Sequence, residues 1–472
     1  MSFLKRNKNI IILLLAMILS FVFFYSAKIS CDNYFMFVHA KDILQNGFYP
    51  EHDILSMHKM PITYQKWLMC LIDYGLYVLK GDIALKIFHW IVFVGFIFVS
   101  YKLYLLNDDN KLRASFVVLA EAILMGLFET TRPQIFTYLF LTIELYVLEK
   151  YVKTGDKKNL YILPILSFFE IQIHSTNWPI LICFVLPYVV LIPPKFNKLF
   201  VEEKYKIKPI LFVMLLMILV ALINPYGAES ISYLIKSLFI KEIAEICGEC
   251  NPNMFSTIFT STLLVFCIML FAYNKKVLQS RVVMLLAGTA ILSFDAFRNF
   301  AFLIIVLPLI ISLLNSNNYF VNIKHIKLLL FSFFIGLAFV FMMFYSSNIK
   351  SASHQTNIEK CANYLNEYSN ENATFIANDE DITSYLAYIS EGKMKPFIDN
   401  RLEVYSDKIN DYHDYLGEFA HSGFINVINN YKIDYLIIDD DLFAKYKNYL
   451  LNDSTSFIKS IGGMSIIKYS WA

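Results

Sequence analysis

Residues 9–35 read NIIILLLAMILSFVFFYSAKISCDNYF. No charge interrupts the apolar run from Asn9 to Tyr25, and a run of roughly 17 to 25 such residues is what a helix needs to cross a bilayer. Lys5, Arg6 and Lys8 precede the run, and Asp32-Asn-Tyr follows soon after it. A cleaved signal peptide would carry the same basic flank, with Ser26-Ala27 as its processing site. An uncleaved first helix fits better, because runs of this kind recur down the chain.

Working outward, apolar runs stand at about 82–106, 112–128, 133–150, 159–173, 177–193, 208–223, 254–273, 281–295, 298–315 and 326–346, which makes eleven with the first. Of the 472 residues, 57% are hydrophobic and 17% charged, against roughly 25% charged in an ordinary soluble chain. Mean hydropathy is +0.51. Gly and Pro, at 15 and 13, exclude collagen-like and low-complexity chains. The pattern predicts a polytopic α-helical membrane protein of about 11 transmembrane helices.

The formal net charge of +2 conceals a split. Residues 1–350 hold 31 Lys+Arg against 21 Asp+Glu, and residues 351–472 hold 10 against 18. The basic residues form no aromatic-interleaved patch, so no nucleic-acid partner is indicated. Because the apolar runs also stop near 350, two parts are expected: a membrane body over 1–349 and an acidic domain over 350–472. In the second part, segments at 357–368, 380–391 and 420–431 read as helices. Ala373–Ala377, Pro396–Ile398 and Tyr435–Asp439 read as strands. Phe457–Ile461 and Met464–Tyr469 read as a hairpin across Gly462-Gly463, and the whole as an α/β layer.

Short cytoplasmic loops should be basic. With the N-terminus inside, they hold Lys111 and Arg113; Lys150, Lys153, Lys157 and Lys158; Lys195, Lys198, Lys204, Lys206 and Lys208; Lys275, Lys276 and Arg281; and Lys324 and Lys327. The short loops between them hold only Arg132 and Arg298. A plasma-membrane protein with an extracytoplasmic C-terminal domain is therefore expected. The polar residues of chemical interest then share the outer side: Asp32, Asp53, His58, Glu129, Arg132, Gln134, His174, Asn177, Asn224, Tyr226, Glu229, Asp295, Arg298 and Asn299. Charges at the hydrocarbon edge are costly and are kept mainly where a polar cavity needs them, so this side is read as the site.

Each residue also has a plainer reading. Asp32 could merely end the first helix, Asp53 and His174 could serve turns, and Arg298 could snorkel to lipid phosphate. The mid-span positions read as almost wholly Leu, Ile, Phe and Val. In the first outer loop, 27–81, residues 34–47 place Phe35, Val38, Ile43 and Leu44 near one face, and 63–80 form a second helix ended by Gly81. Both are expected to lie on the membrane as interfacial helices. Cys247-Gly-Glu-Cys250 could close a small disulfide or remain two thiols. Asp439-Asp440-Asp441 reads as a solvated strand end in preference to a cation site. Asp399-Asn-Arg401 with Glu403 and Tyr405 is more suggestive, although an internal salt bridge would look the same.

This layout resembles the GT-C superfamily of membrane glycosyltransferases. It is similar to protein O-mannosyltransferases, aminoarabinose transferase-like enzymes and uncharacterised bacterial relatives. The resemblance covers most of 1–350. It rests on Asp32-Asn-Tyr after the first helix, on Asp53-Ile-Leu-Ser56 through Trp67-Leu68 to Gly81, and on Arg132-Pro-Gln134, His174, Asn224-Pro-Tyr-Gly227 and Asp399–Tyr405. The family often has an acidic pair where this chain has Asp32-Asn33, and the Trp-Trp-Asp motif of oligosaccharyltransferases is absent.

The resemblance implies an inverting transfer from a polyprenyl-phosphate-linked sugar, held at membrane lipid, to an extracytoplasmic acceptor. Asp32 would be the general base, and Arg298, Arg132 and His174 would hold the donor phosphate. Asp53, His58, Glu129, Asn224 and Tyr226 would contact substrate. No cofactor is certain; a divalent cation, Mg or Mn, is the one the resemblance admits. Two other classes stand beside it: a transporter or flippase of a lipid-linked or anionic solute, which should show inverted repeats, and a non-catalytic envelope scaffold.

Overall fold

The computed structural model describes residues 7–26, 29, 31–49, 53, 55–58, 63–126, 128, 131–190, 204–238, 251, 254–274, 279–316, 356–369, 372–378, 380–399, 401, 405, 423–451 and 455–471. Its helices are α1 (Lys8–Ser26), α2 (Cys31–Asn46), α3 (Trp67–Lys80), α4 (Asp82–Leu105), α5 (Lys111–Met125), α6 (Gln134–Thr154) and α7 (Ile162–Ile173). They continue with α8 (Trp178–Val185), α9 (Ile207–Val220), α10 (Ala228–Leu238), α11 (Met254–Asn274), α12 (Ser280–Asp295) and α13 (Phe300–Ser316). A helix stands at ten of the eleven apolar runs, and the run at 326–346 lies outside the described residues.

Among the described residues, two helices, α1 and α4, are long and apolar enough to cross a membrane. On α1, Ile10, Leu14, Ile18, Val22 and Tyr25 are exposed, as are Ile83, Ile87, Ile91 and Phe98 on α4. Leu211, Phe212, Leu215 and Leu219 of α9 show the same. Water would not tolerate so much bare apolar surface, whereas lipid requires it. The protein is a helical membrane protein with a small sheet.

The chain gathers into two compact units. One holds 1–27, 83–231 and 247–346; the other holds 28–82, 232–246 and 347–472. The 28–82 segment therefore groups with the acidic C-terminal residues, a partition that a single cut at 349 does not make.

At the centre of the first unit runs α13, where every residue from Phe300 to Leu307 is buried, as an all-apolar helix demands. It packs on α5, α6 and α12, while α1 lies against α5 and α7 against α6 and α9. Gly126 ends α5 beneath Phe23 of α1; a Cβ there would come within 2.9 Å of the ring, so only glycine admits this approach. Arg281, expected as a loop charge, is instead 2% exposed inside this unit. It forks onto Glu149, Nε donating to Oε1 at 2.8 Å and Nη2 to Oε2 at 3.0 Å. Tyr188 donates to the same Oε1 at 2.8 Å.

The second unit is built on a five-stranded sheet. After a helix over 356–368, which we label α14, come β1 (Ala373–Ala377), α15 (Glu380–Ile389), β2 (Met394–Pro396), α16 (Gly423–Tyr431), β3 (Tyr435–Asp439), α17 (Asp440–Leu450), β4 (Thr455–Ile461) and β5 (Met464–Tyr469). Strand order is β2-β1-β3-β5-β4. The first three strands are parallel, and β5 runs antiparallel to both β3 and β4. Gly462 and Gly463, at φ +63 and +83, make the two-residue turn that joins β4 to β5.

One expectation changes here, and another, the strand end at Asp439, gains detail. Residues 33–40 of α2 are all buried, so α2 is a core helix packed on α3 and α15 and not one laid on lipid. The three aspartates at 439–441 open α17: Asp440 accepts from Ser460 and Ser465, and Asp439 from Asn378. Carboxylates in a first helical turn are stabilised by the exposed amides there, which explains the cluster without a cation.

Candidate functional site

Asp32 sits in the first turn of α2 and is partly buried. Asp32, Asp53 and His58 belong to the second unit, whereas Arg132, His174, Asn224, Tyr226 and Arg298 belong to the first. Glu129, Cys247 and Cys250 lie outside the described residues.

In the second unit the structure brings Asp53 and the Asp399–Tyr405 motif together. Arg401, 5% exposed, donates from Nη2 to Asp53 Oδ2 at 2.7 Å and from Nε to both oxygens of Asp399 at 2.9 and 3.1 Å. Nη2 also reaches Asp399 Oδ2, and the Tyr405 hydroxyl donates to that oxygen at 2.8 Å. Asp53 Oδ1 accepts from the Leu55 amide at 2.9 Å, an Asx turn that fixes the loop. His58 stands edge-on to Phe397, Tyr431 and Tyr405 at 5.2, 5.7 and 6.1 Å.

On the far side of the guanidinium, Nη1 meets His39 Nε2 at 3.0 Å. Arginine can only donate, so Nε2 accepts and the imidazole is neutral with its proton on Nδ1. Burial, with Arg401 and Lys66 adding to it, holds His39 well below the usual histidine range. Burial raises Asp53, and Asp399 adds to that while Arg401 opposes it. Burial works against the charge on Arg401, but Asp399 and Asp53 outweigh it and raise the group further.

In the first unit, His174 follows α7, its amide donating to Glu170 O at 2.8 Å. Thr137 of α6 donates its hydroxyl to Glu170 Oε1, and its oxygen lies 3.3 Å from His174 Nδ1. Asn177 Nδ2 donates to the same oxygen at 3.3 Å. Because the threonine proton is spent on Glu170, the histidine presents Nδ1–H to Thr137. Asn224 uses its whole side chain on its own turn. It donates to Ala221 O and Gly227 O at 2.8 and 3.1 Å and accepts from Tyr226 N and Ser230 Oγ at 2.8 and 2.9 Å. Tyr226 is buried and Arg298 exposed, in a short turn over Phe297–Asn299; Arg132 is partly buried.

Sequence reasoning missed His39, Glu170 and Thr137, and it took the helix interiors as almost wholly apolar. The structure buries Glu121, Glu144 and Glu170 there. Each breaks an otherwise apolar run, and that was the readable signal. Among the described residues, no three His, Cys, Asp or Glu side chains are grouped to hold a metal ion. Asp53 and Asp399 already enclose the Arg401 guanidinium, so this donor set does not fit a divalent cation.

No protein-family model matches the chain, and no curated protein matches it. Solved structures do. One is the archaeal oligosaccharyltransferase AglB from Archaeoglobus fulgidus in complex with an inhibitory peptide and a dolichol-phosphate. It matches at TM-score 0.56 and 10% identity over 94% of this chain and 71% of that one. Another is the Archaeoglobus fulgidus oligosaccharyltransferase in complex with Zn and sulfate, at TM-score 0.53 and 12% identity over 93% and 69%. The likeness runs through nearly the whole chain, and what it establishes is a fold shared with these oligosaccharyltransferases.

Proposed function

We propose that the protein is an inverting glycosyltransferase that moves a sugar or glycan from a polyprenyl-phosphate carrier to an acceptor outside the cytoplasm. The observation that carries this reading is a fold shared over 94% of the chain with a transferase caught holding a dolichol-phosphate and a peptide. The position of Asp32, in the first turn after the first apolar helix, supports it. Eleven spans, a cytoplasmic N-terminus and an extracytoplasmic C-terminal domain complete the arrangement.

In this reading Asp32 takes the proton of the acceptor hydroxyl as that oxygen attacks the anomeric carbon. The bond from that carbon to the phosphate oxygen breaks, its electron pair stays on the phosphate, and the anomeric centre inverts. A phosphate leaves readily and needs no strong acid. Arg298 and Arg132 hold it through charge-assisted bonds that tighten as its charge grows. His174, braced by Thr137 and Glu170, assists them. His58, Glu129 and Tyr226 contact sugar or acceptor. Asp53 and Asn224, whose polar atoms are engaged within the protein, act by holding their loops.

The test incubates purified protein in lipid with radiolabelled polyprenyl-phosphate sugars. Donor consumption is expected with wild type and should fall about 10²- to 10⁴-fold in Asp32→Asn, the usual yield of a general base. Transfer by Asp32→Asn at the wild-type rate ends the assignment.

A second reading, movement of a lipid-linked solute, draws on Glu144. It is fully buried in α6, and among the described residues neither carboxyl oxygen has a hydrogen-bond partner. Intramembrane carboxyls of this kind mark transport paths. Movement of labelled lipid across a vesicle wall without donor cleavage would favour it.

A further inference from the structure

Asp32 and His39 lie on one helix, seven residues apart. At 3.6 residues and 5.4 Å per turn that is about two turns, so they share a face and stand about 10 Å apart along the axis. From 33 to 40 the helix α2 is enclosed on every side, yet most of what encloses it is apolar or aromatic. Tyr34 and Phe37 meet Tyr385, Tyr388 and Tyr77, for example. Such contacts fix where a helix lies better than how it is rotated, because apolar packing has no direction. Polar contacts supply direction. Lys41 pairs with Glu391 at 2.9 Å, but Glu391 is exposed and pairs of that kind are weak. Tyr64 donates to Asp42 from the loop before α3.

The bond between His39 and Arg401 is different, because the guanidinium is itself immobile. A planar fork on Asp399, a bond to Asp53 and a contact with Tyr405 hold it. A rotation of α2 carries His39 Nε2 off this fixed donor and leaves a buried arginine N–H without an acceptor, which is expensive.

We infer that Arg401 is a positioning residue for the proposed base: through His39 it sets the rotation of α2, and with it the direction in which Asp32 faces. The inference rests on the transferase reading and gives the C-terminal domain a part in it. Asp53 enters as the strut between the 28–82 segment and Arg401.

The test uses the full-length protein and two substitutions at His39. His39→Gln puts an amide oxygen near the position of Nε2 and keeps an acceptor; His39→Phe keeps a ring and removes it. Two quantities are read, donor turnover and amide hydrogen exchange across residues 31–46. His39→Phe should lower kcat about 100-fold, the scale expected of an ångström-level misplacement, with KM for the lipid donor within about twofold. Exchange should quicken in 31–46 and stay unchanged in β1 and β3. His39→Gln should restore both quantities to near wild type.

Wild-type turnover and exchange in His39→Phe would overturn the inference, as would a His39→Gln variant as impaired as His39→Phe. Exchange that quickens in the sheet as much as in α2 would also overturn it, since the residue would then hold the domain together and not the helix. If wild type consumes no donor, the transferase reading fails, and exchange confined to 31–46 still decides the positioning role by itself.

Discussion

Each unit of the molecule buries an arginine beside a tyrosine, and the two do so differently. Among the described residues Arg281 meets one carboxylate, Glu149, which also takes the Tyr188 hydroxyl. Within that set one positive charge faces one negative charge, and the bond braces two helices of a single unit. Arg401 meets two carboxylates, a tyrosine and a neutral histidine, and it joins stretches of chain 348 and 362 residues away. A balanced fork resists change. A cluster with one carboxylate in excess and an uncharged imidazole against it has a group that acidity can alter.

Removing each arginine in turn separates the two arrangements most strongly. Arg401→Met leaves Asp53 and Asp399 facing each other in a buried site and should cost about 5 kcal/mol, the upper end for stranding a buried charge. Amide exchange in β1 and β3 measures it. Arg281→Met removes the partner of a single described carboxylate, Glu149, and should cost about 3 kcal/mol, read from exchange in α12. Equal losses would erase the distinction.

The smallest effect is one of pH. His39 is held below its ordinary value of 6.5, mainly by burial and then by Arg401. A group depressed in this way contributes stability above its unfolded value, and that contribution is lost as pH falls below it. Between pH 7 and pH 5 the second unit should therefore lose about 1 to 2 kcal/mol relative to His39→Gln, given about 1.4 kcal/mol per unit of pH. Thermal unfolding of the two proteins at both pH values checks this. A wild type that tracks His39→Gln would show that the imidazole does not sense acidity.

The helices and strands were legible wherever a period or a turn residue marked them. Ala373–Ala377, Tyr435–Asp439 and Met464–Tyr469 stand where alternation and Gly462-Gly463 put them. By contrast α17 was hidden, because three aspartates look alike whether they end a strand or open a helix. The setting of α2 was hidden for another reason. An apolar stripe records that something covers a helix, not whether the cover is lipid or protein.

At the candidate site, residue types were readable and partnerships were not. Asp53 and the Asp399–Tyr405 motif each stood out, but no periodicity links positions 348 residues apart. Glu170 was passed over because its neighbours, Phe168, Phe169 and Ile171, set the character of the run.

The span between Asp53 and Arg401 also has a bearing on biogenesis. At the usual 5 to 20 residues per second, a ribosome needs roughly 20 to 70 s to go from one to the other. For most of that interval the nascent segment carrying the aspartate is clear of the exit tunnel, and its cationic mate has not yet been made. An early-formed piece must therefore wait, solvated or chaperoned, for a late-formed one before it can settle.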